Sequence, residues 1–224
     1  IDGHSPGLMG EQAEIYVKAG ISTDHECYML EEALGKLDLG MNIIIREGSA
    51  AKNFDALHTI ISEHSGHVMF CSDDKHPNDL IVSQIDGIVR KALSKGYDLF
   101  NVLKCACINP VPHYKLDVGM MREGDPADFI VIDSLESFRV EATYIDGVKV
   151  AEKGRSLIQS VNAEEVNNFN TQRKSAEDFR LKCDCSEIRV IEAIDGEIIT
   201  NEITCKPKSE GGYLVSDTDN DILK

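Results

Sequence analysis

Groups able to do chemistry recur at four places in the first third of the chain: His4, the triplet Asp24-His25-Glu26, the run Arg46-Glu47-Gly48-Ser49, and the pair Asp73-Asp74. Two imidazoles and a carboxylate brought to one point can bind a divalent metal, since neutral His and Asp suit zinc, manganese or iron alike. Such a metal lowers the pKa of a water towards neutrality. An Asp beside it could take that water's second proton and deliver it to a leaving group. Glu26, Arg46 and Glu47 would then be left to hold a polar substrate. Each group alone also has a plainer reading: a turn at His4, a solvated loop at Asp24-His25-Glu26, a local ion pair at Arg46-Glu47, and a helix start at Asp73-Asp74-Lys75-His76-Pro77. Their recurrence favours a shared site. His58, His64, His67 and His113 lie off the pattern and read as structural, while His76 is close enough to Asp73 to support it from behind.

The elements that would position these groups are short apolar runs, each ending on one of them. Ile1-Asp2-Gly3 leads to His4, Ile21-Ser22-Thr23 to Asp24-His25, residues 41–45 to Arg46, and residues 67–72 to Asp73. Helical patterns lie between, over 11–19 and 29–39, closed by Gly20 and Gly40 in the position that tolerates a left-handed backbone. A strand and helix every 20 to 25 residues or so is the period of parallel βα architecture. There the carboxyl ends of the strands form the active face. Residues 41–45 read as a strand buried on both faces. A helix is expected from Arg46-Glu47-Gly48-Ser49 onward, with Lys52 and Asn53 in its first turns. A long amphipathic helix over 79–95 carries Leu80, Ile81, Ile85, Ile88, Val89 and Leu93 on one stripe. Another helix over 98–107 should stop before Asn109-Pro110. After Pro112 the texture turns to short strands at 115–118, 129–132, 139–144 and 148–150, with a hairpin signal at Asp146-Gly147. Residues 163–178 are polar. A further β texture has Arg189-Val190-Ile191 and Ile198-Ile199-Thr200 on either side of Asp195-Gly196.

With 224 residues the chain suits one large domain or two smaller ones. A net charge of −16, with no Lys/Arg cluster, argues against a nucleic-acid backbone or an anionic membrane surface as the partner. No apolar run reaches the roughly 18 residues needed to span a bilayer, and no signal peptide is visible. The chain lacks an initiator Met and begins inside a strand pattern, which reads as a piece of something longer. The seven cysteines lack the paired Cys-x2-Cys spacing of a zinc ribbon. They read as reduced cytosolic thiols, mostly buried.

Four segments carry a resemblance: Gly3-His4-Ser5-Pro6-Gly7-Leu8, Ser22-Thr23-Asp24-His25-Glu26, the run from Ile45 through Arg46-Glu47-Gly48-Ser49-Ala50-Ala51-Lys52-Asn53, and Cys71-Ser72-Asp73-Asp74-Lys75-His76-Pro77. In order and spacing they resemble the adenine deaminases of the amidohydrolase superfamily, over residues 1 to about 150. The resemblance extends to Asn109-Pro110-Val111-Pro112-His113-Tyr114 and Gly124-Asp125-Pro126-Ala127-Asp128. It implies an α/β chain: the C-terminal half of a (β/α)8 barrel over 1–112, part of a small β-sandwich over 113–162, and a linker with the start of a C-terminal α/β domain over 163–224. It implies hydrolytic deamination of adenine to hypoxanthine and ammonia, a purine-salvage step. The cofactor implied is a divalent metal, manganese or iron ahead of zinc, binuclear in the full-length enzyme. His4 matches the fifth-strand ligand, His25 the sixth and Asp73 the eighth, with Asp73 also the catalytic proton carrier. Glu26, Arg46, Glu47 and Ser49 fall where substrate contacts are expected. The His-x-His of the first strand and the bridging residue of the fourth are absent, so the isolated chain is expected to be inactive. Adenine as small-molecule partner, a homo-oligomer and a cytoplasmic location complete the expectation. The alternatives are a dihydroorotase- or hydantoinase-like enzyme cutting a cyclic amide, and a non-catalytic interaction module. The zinc nucleobase deaminases are a poor fit, because their His-x-Glu and Pro-Cys-x-x-Cys patterns are missing.

Overall fold

The computed structural model describes residues 1–197 and 199–224, so Ile198 of the expected strand lies outside the described residues. The chain divides into two compact units, 1–159 and 160–224.

In the first unit the βα period holds. Strand β1 (Asp2–Gly3) is followed by helix α1 (Gly10–Lys18), β2 (Thr23–Asp24), α2 (Leu30–Asp38) and β3 (Asn42–Arg46). Gly20 and Gly40 end the two helices at φ of 94° and 85°, as expected of a C′ glycine. Short helices α3 (Phe54–Leu57) and α4 (Ile60–His64) then lead to β4 (Val68–Cys71). The four strands form one parallel sheet in the order β1-β2-β3-β4. Asp2 pairs with Thr23 and Thr23 with Asn42, while Ile44 pairs with Met69 and Arg46 with Cys71.

Side chains alternate across a strand. Ile43, Ile45, Val68 and Phe70 therefore share one face, where they pack on Phe54, Leu57, Ile61, Ile88, Val89 and Val102 of the helices. Ile44 and Met69 point to the opposite face and are buried there as well. The apolar run through β3 is thus a strand covered on both sides. Phe54 sits fully buried at the centre of the helix-side core. Phe54→Ala is expected to cost about 3–5 kcal/mol, measurable as a lowered urea or thermal unfolding midpoint.

Four expected elements differ. No helix begins at 46–53: Glu47 and Lys52 instead bridge across a loop. The helix expected over 79–95 is two pieces, α5 (Pro77–Leu80) and α6 (Ile85–Ser94). The break follows from Asp86, which accepts from the backbone N–H of Gln84 at 2.7 Å and from Arg90 Nη1 at 2.6 Å, restarting the helix. It leaves Ile81 and Val82 87% and 78% exposed rather than on a buried stripe. Helix α7 (Leu99–Leu103) passes through a π-helical turn at 104–108 into α8 (Pro110–Tyr114), so the chain does not stop before Asn109-Pro110. Pro110 takes the first helical position, where its missing N–H costs nothing. Asn109 helps to hold the turn by donating to the carbonyls of Ser65 and Val68, both at 2.7 Å. Residues 115–118 form no strand, since Lys115 ends α8 in a left-handed conformation.

An antiparallel sheet closes this unit: β5 (Phe129–Ile132), β6 (Val140–Ile145), β7 (Val148–Glu152) and β8 (Arg155–Ser156), paired in that order. Asp146 and Gly147 make the expected tight hairpin at φ of 48° and 74°. The second unit holds two hairpins, β9 (Ile188–Ala193) with β10 (Thr200–Cys205), and β11 (Ser209–Glu210) with β12 (Tyr213–Leu214). Residues 161–175 have no regular secondary structure and are exposed. All seven cysteines are free, but only Cys27 and Cys105 are buried, fewer than expected. Among the described residues no helix is long and apolar enough to cross a membrane.

Burial opposes ionisation of Asp86, but the donors from Gln84 and Arg90 outweigh it and lower its pKa. Its contribution is therefore present above its ordinary value of 3.8 and lost as pH falls through the depressed one. Asp86→Asn is expected to cost about 1 kcal/mol at neutral pH and to make acid unfolding shallower, as read by circular dichroism across a pH series.

Candidate active site

Strand alternation decides which strand-end groups meet. Asp2, Thr23, Asn42 and Ile44 share the face away from the helices, so His4, His25 and Arg46, each an even number of residues along, emerge on that face too. The structure brings the first two together. The rings of His4 and His25 lie 4.5 Å apart at 75°. Glu26 joins them, with Oε1 3.2 Å from His4 Nδ1 and 3.9 Å from His25 Nε2. One ligand atom from each of the three falls within 4.8 Å of the others. Among the described residues His25 Nε2 is buried with no hydrogen-bond partner, and it lies 3.9 Å from Asp73 Oδ1. An orphaned imidazole nitrogen facing two carboxylates, with a second imidazole beside it, fits a divalent cation in both donor type and burial. His4, His25 and Glu26 would hold it; Asp73, expected as the third ligand, lies outside that cluster, with Glu26, expected as a substrate contact, in its place.

Arg46 gathers the carboxylates around this pair. Its Nη2 is 2.7 Å from Asp73 Oδ2, and its Nη1 donates to Glu26 Oε1 at 3.3 Å. Asp74 Oδ1 lies 3.2 Å from Nη2, but the two are not aligned for a hydrogen bond. Asp74 also accepts from the backbone N–H of Ala50 at 3.2 Å. Burial raises the Asp74 pKa, but the nearby Arg46 guanidinium and the N–H of Ala50 outweigh it, so the net shift is downward. Asp73 adopts a left-handed backbone at φ of 38°. Non-glycine residues rarely do so, Asp being among the more tolerant. That turn lets Asp73 reach His25 while Asp74 folds towards the 47–52 loop.

The remaining expected substrate contacts are engaged elsewhere. Glu47, one residue past Arg46 and so on the helix side, faces Lys91 Nζ at 3.4 Å. Ser49 donates to Asp79 and accepts from the backbone N–H of His76, pinning the loop after β4. His76 supports the site only through this backbone contact.

Two buried residues to which the sequence reading gave no part in the site hold the loops in place. Asn53 donates to the carbonyls of His25 and Cys27 at 3.2 and 3.0 Å and accepts from the Arg46 N–H at 2.7 Å, tying β3 to the His25 loop. Lys36 of α2 donates to Asp24 Oδ2 at 2.5 Å, Glu32 Oε1 at 2.6 Å and the Ser5 carbonyl at 2.6 Å. Asp24, Cys27 and Glu32 also sit close enough to chelate a metal, but Lys36 Nζ already bonds both carboxylates and lies 3.7 Å from Cys27 Sγ. Burial lowers the pKa of Lys36, but its hydrogen bonds to Asp24 and Glu32 outweigh it and raise the net value. Burial raises the Asp24 carboxyl, yet Lys36 and Ser5 bring it down overall. Burial also pushes the Cys27 thiol up, keeping it protonated and inert. The sequence does hold one signal for this cluster: Glu32 and Lys36 are four apart on an otherwise apolar helix face.

The model of the Amidohydrolase family matches residues 1–150, which include every strand-end group described above. The chain belongs to the amidohydrolase family. Within it, the chain is 50% identical over its whole length to an adenine deaminase from Salinibacter ruber and 54% identical, over 90% of its length, to one from a Sulfurovum species. It covers 41% and 38% of those two proteins, so it spans about two-fifths of the relatives it matches. Among solved structures, a β-aspartyl dipeptidase from Fervidobacterium islandicum AW-1 is similar in fold at a TM-score of 0.52 and 21% identity. That likeness covers 73% of this chain and 48% of the dipeptidase.

Gly48 explains how Asp74 fits within this amidohydrolase site. A Cβ at Gly48 would fall 1.7 Å from Asp74 Oδ1. Gly48→Ala is expected to expel Asp74 from beside Arg46 and to destabilise the fold by about 1–3 kcal/mol, checked by thermal unfolding.

Proposed function

We propose that the full-length protein carrying this chain hydrolyses adenine to hypoxanthine and ammonia. The observation that carries the reading is the convergence of His4, His25 and Glu26, with Asp73 beside them, in a chain half identical to an adenine deaminase. The parallel order β1 to β4 supports reading 1–112 as the second half of a (β/α)8 barrel. The antiparallel sheet supports a β-sandwich portion within 113–162, leaving 163–224 as linker and the start of a further domain.

The reaction forms a C–O bond at C6 of adenine and breaks the C–N bond to its amino group. A divalent cation, manganese or iron ahead of zinc and paired with a second in the full-length enzyme, would supply Lewis acidity that brings a water's pKa towards neutrality. His4, His25 and Glu26 would hold it. Asp73 Oδ1, next to His25, takes a proton from the attacking water and passes it to the departing amine. Arg46 keeps Asp73 in place by binding Oδ2, leaving Oδ1 free for the proton. Glu26 and Arg46 are the expected substrate contacts that stand beside the imidazoles. The net charge of −16 and the polar small-molecule site support a partner list without nucleic acid or membrane. The free thiols fit a cytoplasmic enzyme, and we extend the reading to a homo-oligomer. The 224-residue chain alone holds too few ligands for the complete centre and is inactive in this reading.

Two measurements test it. The metal-loaded full-length protein should release ammonia from adenine and should not open the ring of dihydroorotate, and absence of adenine turnover would overturn the proposal. Asp73→Ala should lower kcat about 10²- to 10⁴-fold while circular dichroism stays unchanged. Activity equal to the unmutated enzyme would remove Asp73 from the proton path.

A further inference from the structure

The buried cluster on the helix side of the sheet is bonded to the segments that carry both imidazoles. Lys36 is 1% exposed, Asp24 0% and Glu32 1%. Two of the ammonium's three oxygen acceptors are the carbonyl of Ser5, next in sequence after His4, and the carboxylate of Asp24, next before His25; the third is Glu32 Oε1 at 2.6 Å. Ser5 Oγ closes the ring by donating to Asp24 Oδ2 at 2.7 Å. Glu32 extends the hold, accepting from the backbone N–H of Gly7 at 2.7 Å and of Tyr28 at 3.3 Å. The loops after β1 and β2 are thus each tied to α2 at two points, through one ammonium and one carboxylate. Asp24 leaves β2 one residue out of phase with His25, and its Oδ1 accepts from the backbone N–H of Glu26 at 2.9 Å.

We infer that Lys36, with Asp24, Glu32 and Ser5, is a positioning centre that fixes the separation of the His4 and His25 imidazoles and thereby sets the affinity of the metal site. The inference rests on the reading of His4 and His25 as metal ligands. Groups that orient ligands from behind cost about 10- to 100-fold in metal affinity when altered. A buried ammonium held by three oxygens does this more rigidly than apolar packing, since any shift of either loop leaves a charge without a partner.

The test uses the full-length protein stripped of metal and titrated with Co²⁺ against a chelator. The visible absorption of bound cobalt reports ligand geometry, and thermal unfolding of the metal-free protein reports stability. Lys36→Arg keeps the charge but crowds the cluster. Ser5→Ala and Glu32→Gln are milder and keep the ammonium, so they serve if the arginine variant does not fold. The expected result is a Co²⁺ dissociation constant raised about 10- to 100-fold with a shifted cobalt spectrum in Lys36→Arg. The same direction, about tenfold, is expected in the milder pair. Lowered thermal midpoints with unchanged cobalt affinity and spectrum would overturn the inference and leave the cluster a structural tie. His25→Ala separates the two levels of the argument. Cobalt binding lost in His25→Ala but unaltered in the cluster variants overturns only the positioning role. Cobalt binding retained in His25→Ala overturns the metal-site reading beneath it.

Discussion

Side chains in a β-strand leave the backbone on alternate faces, and that constraint sorts the polar residues at the ends of β1 to β4 into two sets. On the face away from the helices stand His4, His25 and Arg46, with Glu26 and Asp73 reaching in from the loops. On the helix face stand Ser5, Asp24 and Glu47. Neighbours in sequence therefore serve different environments. Asp24 binds the buried ammonium of Lys36 while His25 presents a free nitrogen to the site. Arg46 binds carboxylates around the imidazoles while Glu47 meets Lys91. A one-residue slip of register in the sheet would exchange the sets and dismantle both.

A buried cation stands at the centre of each set, with Glu47 met separately by Lys91. An acidic chain that crowds carboxylates into a small volume must neutralise them or lose their ionised form to desolvation. Arg46 does this on the site face with a planar fork that meets three carboxylates from different directions. Lys36 does it on the helix face as a compact ammonium with three donors, each matched to an oxygen. The two cations lie on opposite sides of one sheet, and Asn53 fastens the strand carrying Arg46 to the loop carrying His25. The carboxylates left towards the imidazoles are those of Glu26 and Asp73, and Asp73 reaches His25 from a left-handed backbone just past β4.

Much of this was legible in the sequence. The apolar runs ending in His4, His25, Arg46 and Asp73, with a Gly-terminated helical pattern after each of the first two, identify a parallel βα arrangement, and the hairpin at Asp146-Gly147 follows from its turn chemistry. Less legible were the breaks. Asp86 interrupts the stripe from Leu80 to Leu93 because a local carboxylate-to-backbone bond outcompetes helix continuation, and Pro110 starts a helix where it was expected to end one. Periodicity does not register either event, since both depend on single hydrogen bonds and backbone positions.

By itself the sequence determined the order of the strands, the identity of the groups at their ends and the family likeness of those motifs, because residue types and spacing are properties of the chain alone. Only the tertiary structure decided the partners. It set Glu26 beside the two imidazoles, sent Glu47 and Ser49 to other contacts, and placed Lys36 and Asn53 behind the site. The physical reason is that each such choice depends on which face a side chain leaves from and which buried charge lacks a counterion. Both are settled only when the sheet and helix α2 are packed together.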